Sequence, residues 1–145
     1  MKVQRQLPTK WKEKISSAVA EAELQTSAEI KVVVLNHCWI DIREKARKLF
    51  IEYELFKTDQ RNAVMILLVL ANHELLVYGD KGIHEKVDEK FWLHIRDEMQ
   101  ARFREGQLAE GICEGVKQVG EKLADFFPRM ADDQNQLPNE VIHED

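Results

Sequence analysis

The chain contains few of the residues that mark a specialised architecture. Of its 145 residues only 2 are Cys, 3 are Pro and 6 are Gly. Cys38 and Cys113 lack Cys-x-x-Cys spacing, which argues against a disulfide framework or a structural zinc site, although one bridge between them stays open. The low Gly and Pro contents exclude collagen-like and low-complexity chains. A chain of this length is expected to fold as one domain with a single core.

Long apolar runs are also absent. The longest, residues 63–71, has nine residues, whereas a membrane-spanning helix needs about 20. The first eight residues, Met-Lys-Val-Gln-Arg-Gln-Leu-Pro, lack the apolar stretch of a secretion signal. We therefore expect a soluble, cytoplasmic protein without a membrane span.

Acidic residues outnumber basic ones, and the net charge is −5. A chain of this sign repels phosphate backbones, so nucleic acid is not an expected partner. Charge is uneven along the chain: residues 1–14 carry a net +4 and residues 129–145 a net −4. These patterns divide the chain into a basic segment (1–8), a folded domain (9–128) and an acidic tail (129–145), which we expect to be weakly ordered.

Hydrophobic periodicity predicts alternating helices and strands. Apolar residues at helical spacing indicate an amphipathic helix, whereas short β-branched or wholly apolar runs indicate buried strands. Asp41, followed by Glu44, is typical of a helix start. The predicted helices are 9–24, 41–53, 87–103 and 108–126, and the predicted strands are 29–36, 64–70 and 75–78.

The order of these elements predicts an α/β fold. A strand–helix–strand passage is a right-handed crossover, so the first two strands should be parallel. The third strand follows a short turn and should be antiparallel to the second. We therefore predict a three-layer α/β/α sandwich around a small mixed sheet of about four strands, with residues 54–57 as the candidate fourth strand.

This topology brings polar side chains from distant stretches to one end of the sheet. In a hairpin centred near Asn72, Asn62 lies opposite residues 80–82, and Glu29 reaches the same end because its strand is parallel to the second. Loops 58–62 and 79–85 should therefore meet. The candidate metal ligands there are Glu29, Asp59, Asn62, Asp80, Glu85 and Asp88.

The negative charge of such a cluster of carboxylates must be compensated. Two unit charges 4 Å apart repel by roughly 4 kcal/mol at an effective dielectric of 20. The side chains could splay into water, pair with the basic residues Lys57, Arg61 and Lys81, or hold a cation between them. Oxygen donors of this kind suit calcium or magnesium rather than zinc. Spacing alone leaves all three alternatives open.

Four stretches of the sequence resemble the TPM domain, a family that groups a thylakoid lumen protein, a photosystem II repair factor and a nematode receptor-associated protein. They are Ser-Ala-Glu-Ile-Lys-Val-Val-Val (27–34), Lys-Thr-Asp-Gln-Arg-Asn-Ala-Val-Met-Ile-Leu-Leu (57–68), Val-Tyr-Gly-Asp-Lys-Gly-Ile-His-Glu-Lys-Val (77–87) with Phe91-Trp92, and Phe126-Phe127-Pro128. The resemblance implies an α/β/α sandwich with a calcium site, or a similar divalent site of one or two ions, where loops cross. It also brings an acid-phosphatase label.

The six candidate ligands match the motifs of the family to different degrees. Asn62 and Asp80 lie in matching motifs, and Glu29 matches an acidic residue that opens the first strand. The other three candidates match more loosely. Many relatives have Tyr-Gly-Leu-Glu-Gly where this chain has Tyr-Gly-Asp-Lys-Gly (78–82).

Other motifs add little. The sequence His84-Glu85-Lys86-Val87-Asp88 lacks the second His of a His-Glu-x-x-His zinc motif, and no phosphate-binding Gly-rich loop is present. Two functions therefore remain. The first is a non-catalytic calcium- or magnesium-binding module, in which the ion orders the two loops and regulates contact with a protein partner that the sequence leaves unidentified. The alternative is a metal-dependent acid phosphatase.

Overall fold

The computed structural model describes residues 7–129 and 141–144. In chain order the elements are α1 (Thr9–Glu23), β1 (Glu29–Leu35), α2 (Ile42–Glu52), β2 (Ala63–Val69), β3 (Glu74–Gly79), α3 (Lys81–His84), α4 (Glu89–Arg104), α5 (Leu108–Phe126) and β4 (Ile142–Glu144). The sequence predicted all of these except α3 and β4, with small shifts at the ends. Asp41 caps α2 as expected, because its side chain accepts hydrogen bonds from the backbone N–H groups of Arg43 and Glu44.

The four strands form one mixed sheet in the order β3-β2-β1-β4. Strand β1 is parallel to β2 and to β4, and β3 is antiparallel to β2. The predicted parallel pairing of β1 with β2 and the predicted antiparallel hairpin of β2 and β3 are therefore confirmed. Strands β3 and β4 form the two edges of the sheet.

Helices cover both faces of the sheet. Alternate residues of each strand point toward opposite faces, so each strand contributes to two hydrophobic clusters. On β1, Ile30, Val32 and Val34 pack with residues of α1, α4 and α5. Val33 and Leu35 belong to a second cluster with α2 residues such as Leu49. The predicted three-layer α/β/α sandwich is confirmed.

The fourth strand was predicted in the wrong place. Residues 54–57 form turns after α2, and Glu54 has a left-handed φ of 56°. The N–H of Leu55 donates to the carbonyl oxygen of Phe50 over 2.9 Å, which closes the helix end instead of starting a ladder.

The fourth strand is instead β4, from the segment expected to be weakly ordered. Its sequence of three residues, Ile-His-Glu, is too short to show strand periodicity, so β4 forms only because it pairs with β1. The N–H of Asn36 donates to the carbonyl oxygen of Glu144 over 3.0 Å, and the Tyr53 hydroxyl donates to the Glu144 carboxylate. The rest of the predicted tail, except Arg129 and Val141, lies outside the described residues, as do residues 1–6 of the predicted basic segment.

Within the described part of the chain, no helix has the length and apolar character required to cross a bilayer.

Candidate functional site at the crossing of two loops

Two predicted ligands lie in one row across the sheet. Glu29 is opposite Ala63 in the β1–β2 register. The β2–β3 pairing continues one residue past Gly79, where the N–H of Asp80 donates to the Ala63 carbonyl oxygen over 3.0 Å. Strand spacing places the Cα atoms of Glu29 and Asp80 about 10 Å apart, on either side of Ala63.

Loops 58–62 and 79–85 meet at this end of the sheet, as the topology predicted. The N–H of Gly82 donates to the carbonyl oxygen of Arg61 over 2.9 Å. A Cβ atom on Gly82 would lie 2.3 Å from the carbonyl oxygen of Gln60 and 2.6 Å from that of Arg61. Glycine is therefore required where the two loops cross.

Asp80 is buried and paired with Arg61. The guanidinium donates from Nε to Oδ2 over 2.6 Å and from Nη2 to Oδ1 over 2.8 Å. Oδ1 also accepts from the N–H of Lys81 and so caps α3. The hydrogen bond to Asp80 raises the pKa of Arg61. The negative charge of Asp80 is therefore compensated by a basic side chain, the second of the three alternatives that the sequence left open (water, a basic side chain or a bound cation).

Asn62, also a predicted ligand, is buried at the start of β2. Its backbone N–H donates to Oγ1 of the buried Thr58 over 3.0 Å. This hydrogen bond closes loop 58–62 on itself and fixes the direction in which β2 begins.

Glu29 is buried beside a second carboxyl group, Glu23, at the end of α1. Oε2 of Glu23 accepts from the N–H of Ile30 over 2.7 Å. Burial and the neighbouring Glu29 raise the pKa of Glu23 to about 8.

The sequence analysis missed this carboxyl pair, although α1 carries a signal for it. Glu23 follows Ile15 and Val19 at intervals of four, on the stripe where a buried apolar residue is expected.

The other predicted ligands lie on the surface. Asp59 is exposed in its loop, and Glu85 is exposed at the far end of α3, about 7 Å along the helix axis from Asp80. The exposed Asp88 caps α4 by accepting from the N–H of Lys90 over 2.9 Å. In the part of the chain that the structure describes, no three His, Cys, Asp or Glu side chains are arranged to hold a metal ion.

A family model identified as the TPM domain matches residues 4–122 of the sequence. This chain belongs to the TPM domain family. The match begins before the domain start expected at residue 9 and ends before the expected end at residue 128. Comparison with curated proteins gave no match.

The solved structures that resemble this TPM domain include the following two. One is the NMR structure of the BA42 protein from the psychrophilic bacterium Bizionia argentinensis, with a TM-score of 0.91, 31% identity and 98% of each chain covered. The other is the N-terminal domain of a protein from P. gingivalis, with a TM-score of 0.67 and 21% identity over 83% of this chain and 78% of that one. The second likeness concerns the fold alone.

Proposed function

We propose that this TPM domain is a non-catalytic module that binds calcium or magnesium at the crossing of loops 58–62 and 79–85. The supporting observation is the ion pair of Arg61 with Asp80, in which a cationic side chain already compensates the buried carboxylate. A divalent cation would bind by displacing Arg61. Arg61 therefore acts as an internal competitor for the site.

The donor types near Asp80 fit such an ion. Asp80 and Glu29 supply carboxylates, Asn62 supplies an amide oxygen, and the crossing peptides of Gln60 and Arg61 supply carbonyl oxygens. Calcium accepts this mixture of donors, while magnesium uses fewer protein ligands and retains water. A site with two carboxylates and several neutral oxygens does not require three acidic residues. Two predictions are separate from this one. The first is that Asp59, Glu85 or Asp88 supplies a further ligand, and the second is that the site holds one ion or two.

When bound, the ion would supply the positive charge that Arg61 supplies now. An ion that binds only the folded state at a hundredfold excess over its Kd adds about 2.7 kcal/mol of stability. That free energy would hold the two loops together and release Arg61 toward solvent. We propose that this exchange regulates contact with a protein partner in the cytoplasm.

The alternative, a metal-dependent phosphatase, needs a group free to act as nucleophile or general acid. Both oxygens of Asp80 accept hydrogen bonds from Arg61, and Asn62 offers only an amide. We therefore favour binding over catalysis.

Titration of Ca²⁺ and Mg²⁺ into chelator-treated protein tests the proposal. The melting temperature should rise, and the amide signals of residues 57–62 and 79–88 should shift. The variant Asp80→Asn should lose the response, and Arg61→Gln should bind metal more tightly than the parent protein. Asp41→Asn, which keeps a capping side chain on α2, is the matched control.

Three results would contradict this function. They are no response at millimolar metal, equal affinity of Arg61→Gln and the parent, or a response that survives Asp80→Asn. Hydrolysis of a generic phosphomonoester is measured in parallel. Metal-dependent hydrolysis that disappears in Asp80→Asn would instead support the phosphatase.

A further inference from the structure

The outer edge of β3 is covered by protein. Leu75 is 2% exposed, Gly79 is buried, and α4 packs against the strand. In an antiparallel pair, successive residues alternate between bonding the partner strand and pointing their N–H and C=O groups away from it. The N–H of Asp80 donates to Ala63, so the backbone groups of Leu75, Val77 and Gly79 point away from β2.

These outward backbone groups need hydrogen-bond partners. Among the described residues, no backbone hydrogen bond outside the helices and the sheet involves Val77 or Gly79. Backbone polar groups that are buried in folded proteins are nearly always paired, with ordered water where no protein group is in reach. The edge of β3 is therefore a place where bound water is expected.

A small cavity lies beside this edge, between β3 and α4. Its volume is about 30 Å³, and Val77, Gly79 and Trp92 are among the residues that line it. A buried water molecule needs about 10–15 Å³ of such space and two to four polar partners. The cavity therefore has room for a water molecule, and it is too small for an organic ligand.

Trp92 supplies an independent sign of what the cavity binds. Its side chain belongs to the core and is 8% exposed. The indole Nε1 is buried, and no side chain or backbone group in the described part of the chain accepts a hydrogen bond from it. A buried donor without an acceptor costs free energy, so such donors usually have a partner. A water oxygen is the acceptor that fits in a space of this size.

We infer that the cavity binds one ordered water molecule, which accepts from Trp92 Nε1 and hydrogen bonds to the outward backbone groups of Val77 and Gly79. The water links α4 to β3 and takes the place of a further strand. An edge whose backbone groups are satisfied in this way is a poor template for pairing with another chain. This site is separate from the loop crossing and does not require a bound metal.

NMR spectroscopy that selects magnetisation transfer from water tests the inference on the full chain, with a chelator present. The indole N–H of Trp92 and the amide N–H of Val77 should both show dipolar cross-peaks to water, with the sign of a long-lived contact. The indole N–H of Trp39 is the internal control, because Trp39 is 89% exposed. It should show only chemical exchange with bulk water.

Two variants separate the proposed water contact from general packing. Trp92→Phe removes the donor and keeps an aromatic ring, so the water cross-peak of the Val77 amide should weaken. Hydrogen exchange of that amide should become about fivefold faster, which corresponds to the loss of one hydrogen bond. Trp11→Phe, on α1 and outside the cavity lining, should leave both measurements unchanged.

The inference is overturned if the Trp92 indole shows no dipolar contact with water, or if Trp92→Phe and Trp11→Phe have equal effects on Val77. A crystal structure of the full chain in which Nε1 donates directly to a side chain, such as the Glu89 carboxylate that also lines the cavity, would overturn it as well. Should Trp92→Phe fail to fold, the cross-peaks and the crystal structure of the parent protein decide the question.

Discussion

Gly82 lies so close to the carbonyl oxygen of Gln60 that no side-chain carbon fits between them, since an ideal Cβ atom would be 2.3 Å from that oxygen. The contact is with backbone, which cannot rotate away as a side chain can. The crossing of the two loops, and with it the position of Asp80 beside Arg61, therefore depends on the absence of a side chain at residue 82.

We expect Gly82→Ala to destabilise the protein by about 1–3 kcal/mol, the usual cost of overpacking a tight contact, and to shift the amide signals of residues 58–62. Denaturant unfolding and amide NMR measure the two effects. Gly106→Ala is the control, because Gly106 has open space around it but a φ of +81°. It should cost about 1 kcal/mol from backbone strain without moving the loops. Wild-type stability of Gly82→Ala would show that the loops can separate freely.

The carboxyl pair of Glu23 and Glu29 predicts a dependence of stability on pH. Burial raises the pKa of Glu23 from 4.5 to about 8, so the folded state binds more protons than the unfolded state between these values. The stabilisation is complete below pH 4.5 and is lost as the pH rises through 8. The contribution of this group should thus fall with rising pH, by at most about 1.4 kcal/mol per pH unit.

Glu23→Gln tests this contribution, because the amide oxygen can still accept from the N–H of Ile30. Denaturant unfolding between pH 5 and 8.5, with a chelator present, should show a flatter profile for this variant and higher stability than the parent at pH 8.5. Glu21→Gln, on the exposed side of the same helix, should keep the parent profile. Parallel profiles for all three proteins would mean that Glu23 is ionised in the folded state.

Strand β4 makes a side-chain contact with the end of α2. The Tyr53 hydroxyl donates to the Glu144 carboxylate, and burial together with this hydrogen bond raises the pKa of Tyr53. Tyr53→Phe and Glu144→Gln should each destabilise the protein by about 1 kcal/mol. A double-mutant cycle should give a coupling of similar size, whereas Tyr78→Phe should cost less. Additive effects of the two substitutions would mean that this contact does not hold β4.

Thr26 joins the end of α1 to the end of α5. Its hydroxyl donates to the carbonyl oxygen of Phe127 over 2.5 Å and accepts from the N–H of Ala28 over 3.1 Å. Thr26→Val keeps the shape but leaves the buried Ala28 N–H without its acceptor, so we expect a loss of about 1–3 kcal/mol in thermal or denaturant unfolding. Thr26→Ser, which retains the hydroxyl, should recover most of that loss. Equal stability of the two variants would mean that the Thr26 hydroxyl contributes nothing to the free energy of unfolding.

Most of the sheet could be predicted from the sequence because its signals are local. The apolar run that forms β2 and the turn before Glu74 define the hairpin, and the crossover rule orients β1. The short helix α3 was missed, since four residues are too few for a periodic pattern. Strand β4 was missed because its three residues form a strand only beside β1.

The sequence by itself determined that Glu29, Asn62 and Asp80 reach the same end of the sheet, since strand direction and hairpin register follow from periodicity and chain handedness. Only the tertiary structure decided the partner of each carboxylate. Asp80 pairs with Arg61 nineteen positions away along the chain, and Glu29 lies beside Glu23 on a helix of another layer. Such pairings depend on which side chains meet across packed elements, and that geometry has no local pattern in the sequence.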